Sequence, residues 1–341
     1  MKLDVGLAVE SKHLPAIAEM ARAAEALGFA GLWTSETKHD SFLPLAIAAE
    51  HTQTLQLGTS VAIAFARSPM VTAQTAWDLQ DFSGGRLLLG LGTQVKAHIE
   101  RRFSMPWDSP VARLREYIEA LRAIWQAFQT NGPLNYTGQF YQHTLITPFF
   151  NPGPISHPDI PVYIAGVNTG LARLAGEISQ GFHVHPFHTP DYVRTVVQPA
   201  VAEGATRAER SPHDVELSTS VFIITGRDAA TIAEQRERMR AQIAFYASTR
   251  TYHVVLEVHG WQDTGEELGR LAKAQRWAEM PRLITDDMMR AFTVEAAPDE
   301  IGPAIRERYA GVIDRAAFYL PFEPGTDDEF WRTAIRVIQA S

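Results

Sequence analysis

Apolar residues recur along this chain in two alternating rhythms, short unbroken runs and longer stretches with helical spacing. Leu3 to Val9 reads as a strand, and Pro15 to Leu27 as a helix with Ala18, Ala21, Ala24 and Leu27 on one face. Gly28 supplies the left-handed stop that helix ends favour. The rhythm repeats through strands at Phe29–Ser35, Leu55–Ala64 and Arg86–Leu91, with helices at Pro44–Gln53 and from Ser68-Pro69 to Phe82. The Ser-Pro pair offers a cap and a first-turn proline. A long helix follows at Val111–Phe128. Strands at Pro161–Ala165, Gly181–His185, Val215–Thr225 and Arg315–Leu320 then alternate with helices at Gly170–Gln180, Pro190–Glu203, Ala229–Tyr246 and Asp327–Gln339.

Eight strand–helix pairs in series, with no run of hairpins, predict a parallel sheet. An open doubly wound sheet competes but usually needs fewer units. The expected fold is therefore α/β, a (β/α)8 TIM barrel. Such a barrel needs about 250 residues, leaving roughly 90 for insertions after strands 4 and 7, at about 131–160 and 250–297. No linker or shift in composition divides the chain, so residues 1–341 form one domain.

Composition narrows the function classes. The hydrophobic share of 45% is that of a soluble globular protein. There are no cysteines, which excludes disulfides, thiolate metal sites and a cysteine nucleophile. The net charge of −8 and the lack of a Lys/Arg-rich run argue against nucleic acid. No stretch approaches the roughly 18 to 20 apolar residues that cross a bilayer, and the N-terminus lacks a signal-peptide pattern. A cytoplasmic location is expected.

Barrel chemistry sits at the C-terminal ends of the strands, which turns the pattern into a list of candidates. After strand two, His39 would carry or orient a proton with Glu36 or Asp40 as partner, although Asp40-Ser41 would also serve simply to start the next helix. After strand three, the small residues Gly58, Thr59 and Ser60 permit close approach of a flat ligand, or tight packing at the rim. Gly90 and Gly92 would form an anion nest with Thr93 and Gln94 as donors, although Gly-x-Gly alone is weak and no P-loop lysine follows. Gly166, Val167, Asn168 and Thr169 join a strand to a helix start, a site for phosphate or an ordinary cap. His183 and His185 face one side of a strand. No matching ligand cluster accompanies them, so they are read as substrate or cofactor contacts, or as packing, and no metal is expected. Trp107 and Trp261 lie in irregular segments and would wall a pocket.

In order, these segments resemble the luciferase-like monooxygenase superfamily. The matching pieces include Ala26-Leu27-Gly28-Phe29 with Leu32-Trp33 and Glu36, then Leu57-Gly58-Thr59-Ser60-Val61. They continue through Arg67-Ser68-Pro69, Ser83-Gly84-Gly85-Arg86 with Gly90-Leu91-Gly92, and Pro161-Val162-Tyr163-Ile164-Ala165-Gly166. The resemblance is closest to the branch that uses coenzyme F420, a deazaflavin. It implies a non-proline cis peptide at Ser60-Val61 behind the cofactor ring, Thr93 and Gln94 at the cofactor loop, and the phosphate tail on Gly166 to Thr169. It also implies a small-molecule substrate and a homodimer. The implied activity is hydride transfer between F420 and a small organic substrate. The alternative is an FMN-dependent monooxygenase fed reduced flavin by a separate enzyme. Two departures stand out: Thr37 follows Glu36 where the family often has His, and Gln94-Val95-Lys96 stands where a sugar-phosphate branch has a catalytic Glu.

Overall fold

The computed structural model describes residues 1–7 and 14–340. Eight parallel strands form its centre: β1 (Lys2–Gly6), β2 (Gly31–Thr34), β3 (Gln56–Thr59), β4 (Leu87–Gly92), β5 (Val162–Gly166), β6 (Gly181–Val184), β7 (Glu216–Ile224) and β8 (Arg315–Phe318). Each pairs with the next, and β8 pairs back onto β1, so the sheet closes. This is the expected TIM barrel. The predicted extension of the first strand to Val9 lies outside the described residues.

The helices that cover the barrel follow the predicted periodicity: α1 (Leu14–Leu27), α2 (Leu43–His51), α3 (Pro69–Phe82), α4 (Pro110–Thr130) and α5 (Thr169–Ile178). After Pro190–Tyr192 comes a π turn, Val193–Val197, and then α6 (Gln198–Arg207). The ring ends with α7 (Ala229–Ala247), Ile301–Tyr309 and α8 (Asp328–Gln339). Their apolar faces pack on the barrel to make the main core. No described helix is long and apolar enough to cross a membrane.

Three stretches differ from the sequence reading. The third strand stops at Thr59 and pairing resumes only at Ala62–Ile63 against Leu91 and Gly92; the Ser60–Val61 peptide between them is cis, as the resemblance implies. The 131–160 segment follows helix α4 and contains a small antiparallel hairpin, Tyr136–Thr137 with Gln142–His143. The 250–297 segment is helical as expected until Thr293–Glu295, which pairs in parallel with the outer half of β7. Three residues carry too little periodicity to announce a strand.

The Ser83-Gly84-Gly85-Arg86 motif is architectural. Gly84 and Gly85 adopt positive φ (66° and 89°), as a tight turn requires. Arg86 then donates to the carbonyls of Ala49, Thr52, Leu55 and Ser83 and to Thr52 Oγ1. One guanidinium thereby ties the end of α2, the start of β3 and the end of α3 together below β4, at the end of the barrel opposite its mouth.

Candidate functional site

The barrel interior is itself aromatic and charged. Arg315 on β8 and Asp4 on β1 pair through two contacts of 2.8 Å, both fully buried. Trp33 Nε1 donates to the same Asp4 carboxylate at 2.8 Å, and its ring lies under the Arg315 guanidinium at 5.3 Å. Tyr163 and His183 pack on Trp33, with His183 edge-on at 4.8 Å. This plug closes the interior from below and forms the floor of a cavity at the C-terminal ends of the strands.

That cavity has a volume of about 950 Å³ and is walled by residues from most of the strand ends. It is large enough for a cofactor-sized ligand. Among the sequence candidates, Glu36, Ser60, Val61, Thr93, Gln94, Trp107, Gly166, Val167, Asn168, His183 and His185 line it. His39 and Thr169 do not line it, and the His39 side chain is exposed.

The loop after β2 therefore reads differently in three dimensions. Glu36 Oε2 accepts from the Ile63 amide at 2.7 Å and from Arg67 at 2.5 Å. Arg67 also donates to Asp40 at 2.8 Å, and Asp40 accepts from the amides of Phe42 and Leu43 at the start of α2. Burial acts to lower the Arg67 pKa, but hydrogen bonds and attraction from Glu36 and Asp40 outweigh it and hold it above its ordinary value. Glu36 thus fastens the chain just past the Ser60–Val61 bond, and Asp40 is a cap. The Glu36–His39 acid–base pairing has no geometric basis.

The two glycines of β4 also change role. A Cβ on Gly90 would fall 1.8 Å from the Thr59 carbonyl oxygen, and one on Gly92 would fall 2.6 Å from Val61 Cγ2. They permit close approach of the β3 end instead of forming an anion nest. Gly92 leaves room for the Val61 side chain, which lines the cavity. A Cβ on Gly58 would likewise collide with the Trp33 ring, 2.1 Å away, so the tight-packing reading holds there.

At the start of α5, Asn168 caps the helix by accepting from the Leu171 amide. The loop Gly166–Asn168 lines the cavity at this positive helix end, and the Tyr192 hydroxyl donates to the Val167 carbonyl from behind. Capping and anion binding are compatible here, because a cap uses only some of the four free amides.

His185 accepts the Phe187 amide on Nδ1 at 3.0 Å, which leaves the proton of the neutral ring on Nε2. Burial pushes its pKa down to about 3, with His188 adding to the shift. Tyr246 and Tyr252 flank the ring at 4.9 and 4.5 Å. These tyrosines and Tyr319 line the cavity but went unnoticed in the sequence, where they look like ordinary apolar-face residues. Trp107 packs against Phe65 at the opposite wall. Trp261 instead stacks on His259 away from the cavity.

Fold and cavity define a closed-barrel protein built around one deep site at the strand mouths. The chain belongs to the luciferase-like monooxygenase family, whose model matches residues 2–315. A protein of Mycobacterium tuberculosis is 46% identical over 315 residues, 92% of each chain. The 5,10-methylenetetrahydromethanopterin reductase of Methanolobus tindarius is 28% identical over 303 residues, 88% of each chain. The fold recurs in the structure of coenzyme F420 dependent tetrahydromethanopterin reductase from Methanopyrus kandleri, with a TM-score of 0.77 and 22% identity over 99% of this chain and 98% of that one.

Proposed function

We propose that this protein is an oxidoreductase that passes a hydride between coenzyme F420 and a small organic substrate. The observation that carries the reading is one cavity holding both an apolar wall at Val61 and a helix start at Gly166–Asn168. A ring with a phosphate-bearing tail needs both features together. The tetrahydromethanopterin reductase that shares this fold depends on coenzyme F420, which supports a deazaflavin over other flat ligands here. When bound, the deazaflavin would supply the two-electron chemistry.

The chain's own residues supply position and shelter. Ser60 and Val61 would back the ring, and Gly92 gives Val61 the room to do so. Glu36 and Arg67 hold the segment that follows in place. Thr93 and Gln94 offer polar contacts beside it, and the amides of Gly166 to Thr169 would hold the tail. Trp107 and Tyr252 wall the mouth against water. Flavin mononucleotide is the competing occupant, since it has the same ring-and-phosphate plan.

Titration of the full chain with each cofactor, followed by cofactor fluorescence, tests the reading. F420 is expected to bind about tenfold or more tightly than FMN, a difference of about 1.4 kcal/mol. The Gly92→Ala variant, which pushes Val61 into the ring space, is expected to lose about tenfold in F420 affinity while still folding. Binding of FMN with none of F420 would falsify the assignment. As part of the same proposal the chain is a cytoplasmic homodimer served by a separate cofactor-reducing enzyme. Exposed Leu43, Val71 and Phe82 on the neighbouring helices α2 and α3 support the dimer, which sedimentation velocity checks.

A further inference from the structure

The geometry points to a substrate site at the β6–α7 side of the cavity that selects an uncharged ketone or alcohol on an apolar body, recognised by His185, Tyr246 and Tyr252. This assignment rests on the hydride-transfer reading and names its substrate class.

His185 is locked as a donor. Its Nδ1 is occupied by the Phe187 amide, so Nε2–H is the group left to face a ligand, and the ring lines the cavity. Tyr246 stands edge-on to it and shares a hydroxyl contact of 3.2 Å with Tyr319, whereas no described residue hydrogen-bonds the Tyr252 hydroxyl. Burial raises the pKa of both Tyr246 and Tyr252, which keeps their hydroxyls protonated. The cluster therefore presents neutral donors.

The surroundings decide what such donors accept. Glu36 and Lys96 are the charged side chains that the described residues contribute to the wall, and each already has a partner, Arg67 and Glu100 respectively. No described cation faces the cluster to balance a carboxylate or phosphate on the substrate. Burying an unpaired anion among tyrosine rings costs far more than neutral hydrogen bonds return. A single carbonyl or hydroxyl oxygen suits the donors, and an alkyl or aryl body suits the rings and the nearby Pro186, Phe318 and Leu320. In alcohol oxidation the carbinol C–H bond breaks and hydride passes to the oxidised deazaflavin. The hydroxyl proton leaves to solvent as the C=O bond forms. Two electrons leave the substrate and two enter the cofactor, and ketone reduction is the reverse.

The test measures binding, so it does not depend on turnover. Acetophenone, ethylbenzene (the same body without oxygen) and benzoate are titrated into the full chain, with and without F420, and followed by intrinsic fluorescence. Acetophenone is expected to bind about tenfold more tightly than ethylbenzene, as one retained hydrogen bond to a buried donor implies, and benzoate most weakly. His185→Phe should erase the preference for acetophenone and Tyr252→Phe should reduce it, with F420 affinity kept in both. If His185→Phe does not fold, Tyr252→Phe and Tyr246→Phe decide the matter. Equal binding of acetophenone and ethylbenzene overturns the assignment, as does tighter binding of benzoate or a preference untouched by the variants. Discrimination for acetophenone in a protein that does not bind F420 supports the pocket and defeats the cofactor reading alone.

Discussion

Asp4→Ala is expected to destabilise the protein by about 3 kcal/mol or more, the cost of leaving a buried cation without its partner. Arg315 is completely buried and makes both of its best contacts, at 2.8 Å, with Asp4. Its remaining partners cannot replace that charge. Gln56 is neutral, and Glu216 is 3.4 Å away, one-third exposed and shared with Lys2 and Tyr163. The substitution also strips the Trp33 indole of its acceptor. Burial acts to lower the Arg315 pKa, but attraction and hydrogen bonds from Asp4 prevail and raise it, so the guanidinium has no neutral form to escape into. The paired change Asp4→Leu with Arg315→Met should cost far less than Asp4→Ala, since it removes both charges together. Urea unfolding of the three proteins checks this. A single variant within about 1 kcal/mol of the parent would show that water enters the barrel and solvates Arg315.

The same pair shows what the sequence could not disclose. Asp4 and Arg315 are separated by 311 positions, and each sits in a strand whose other residues look like plain barrel core. The repeat of strands and helices was legible because periods of about 2 and 3.6 are local. The mouth segments followed from it, and most of their residues do line one cavity. Local polarity misled at Glu36 to Asp40, because the partner that explains both carboxylates, Arg67, lies about thirty positions away beyond another strand. Gly90 and Gly92 misled for a similar reason. A glycine announces that something comes close, and only the fold tells whether it is a ligand or the Thr59 carbonyl. Tyr246 and Tyr252 give no signal at all, since an aromatic residue at a helix end reads the same whether it faces core or cavity.

Acid should unfold this protein early, because two buried histidines have neutral rings built into their surroundings. His188 donates from Nδ1 to the carbonyls of His185 and Pro186, and its Nε2 accepts from the Tyr309 hydroxyl at 3.0 Å. His183 is wedged between Trp33 and Tyr163, and no described residue hydrogen-bonds its Nε2. Burial pushes its pKa down to about 3, with the Arg315 charge adding to the shift. Burial likewise lowers His188 to about 4 despite its carbonyl partners. Above about pH 6.5 the rings are neutral in folded and unfolded chains alike, and protons do not affect the balance. Below that value the unfolded chain takes protons that the folded chain refuses, so stability falls as pH falls, until the folded rings titrate near 3 to 4. At pH 5 the loss is about 2 kcal/mol for each ring, or about 4 kcal/mol together. His185 adds a loss of the same sign. Urea midpoints at pH 7.5 and pH 5 measure the total, and His188→Gln should flatten the slope by about 1 kcal/mol per pH unit. An unchanged midpoint across that range would mean that the rings accept protons without opening the barrel.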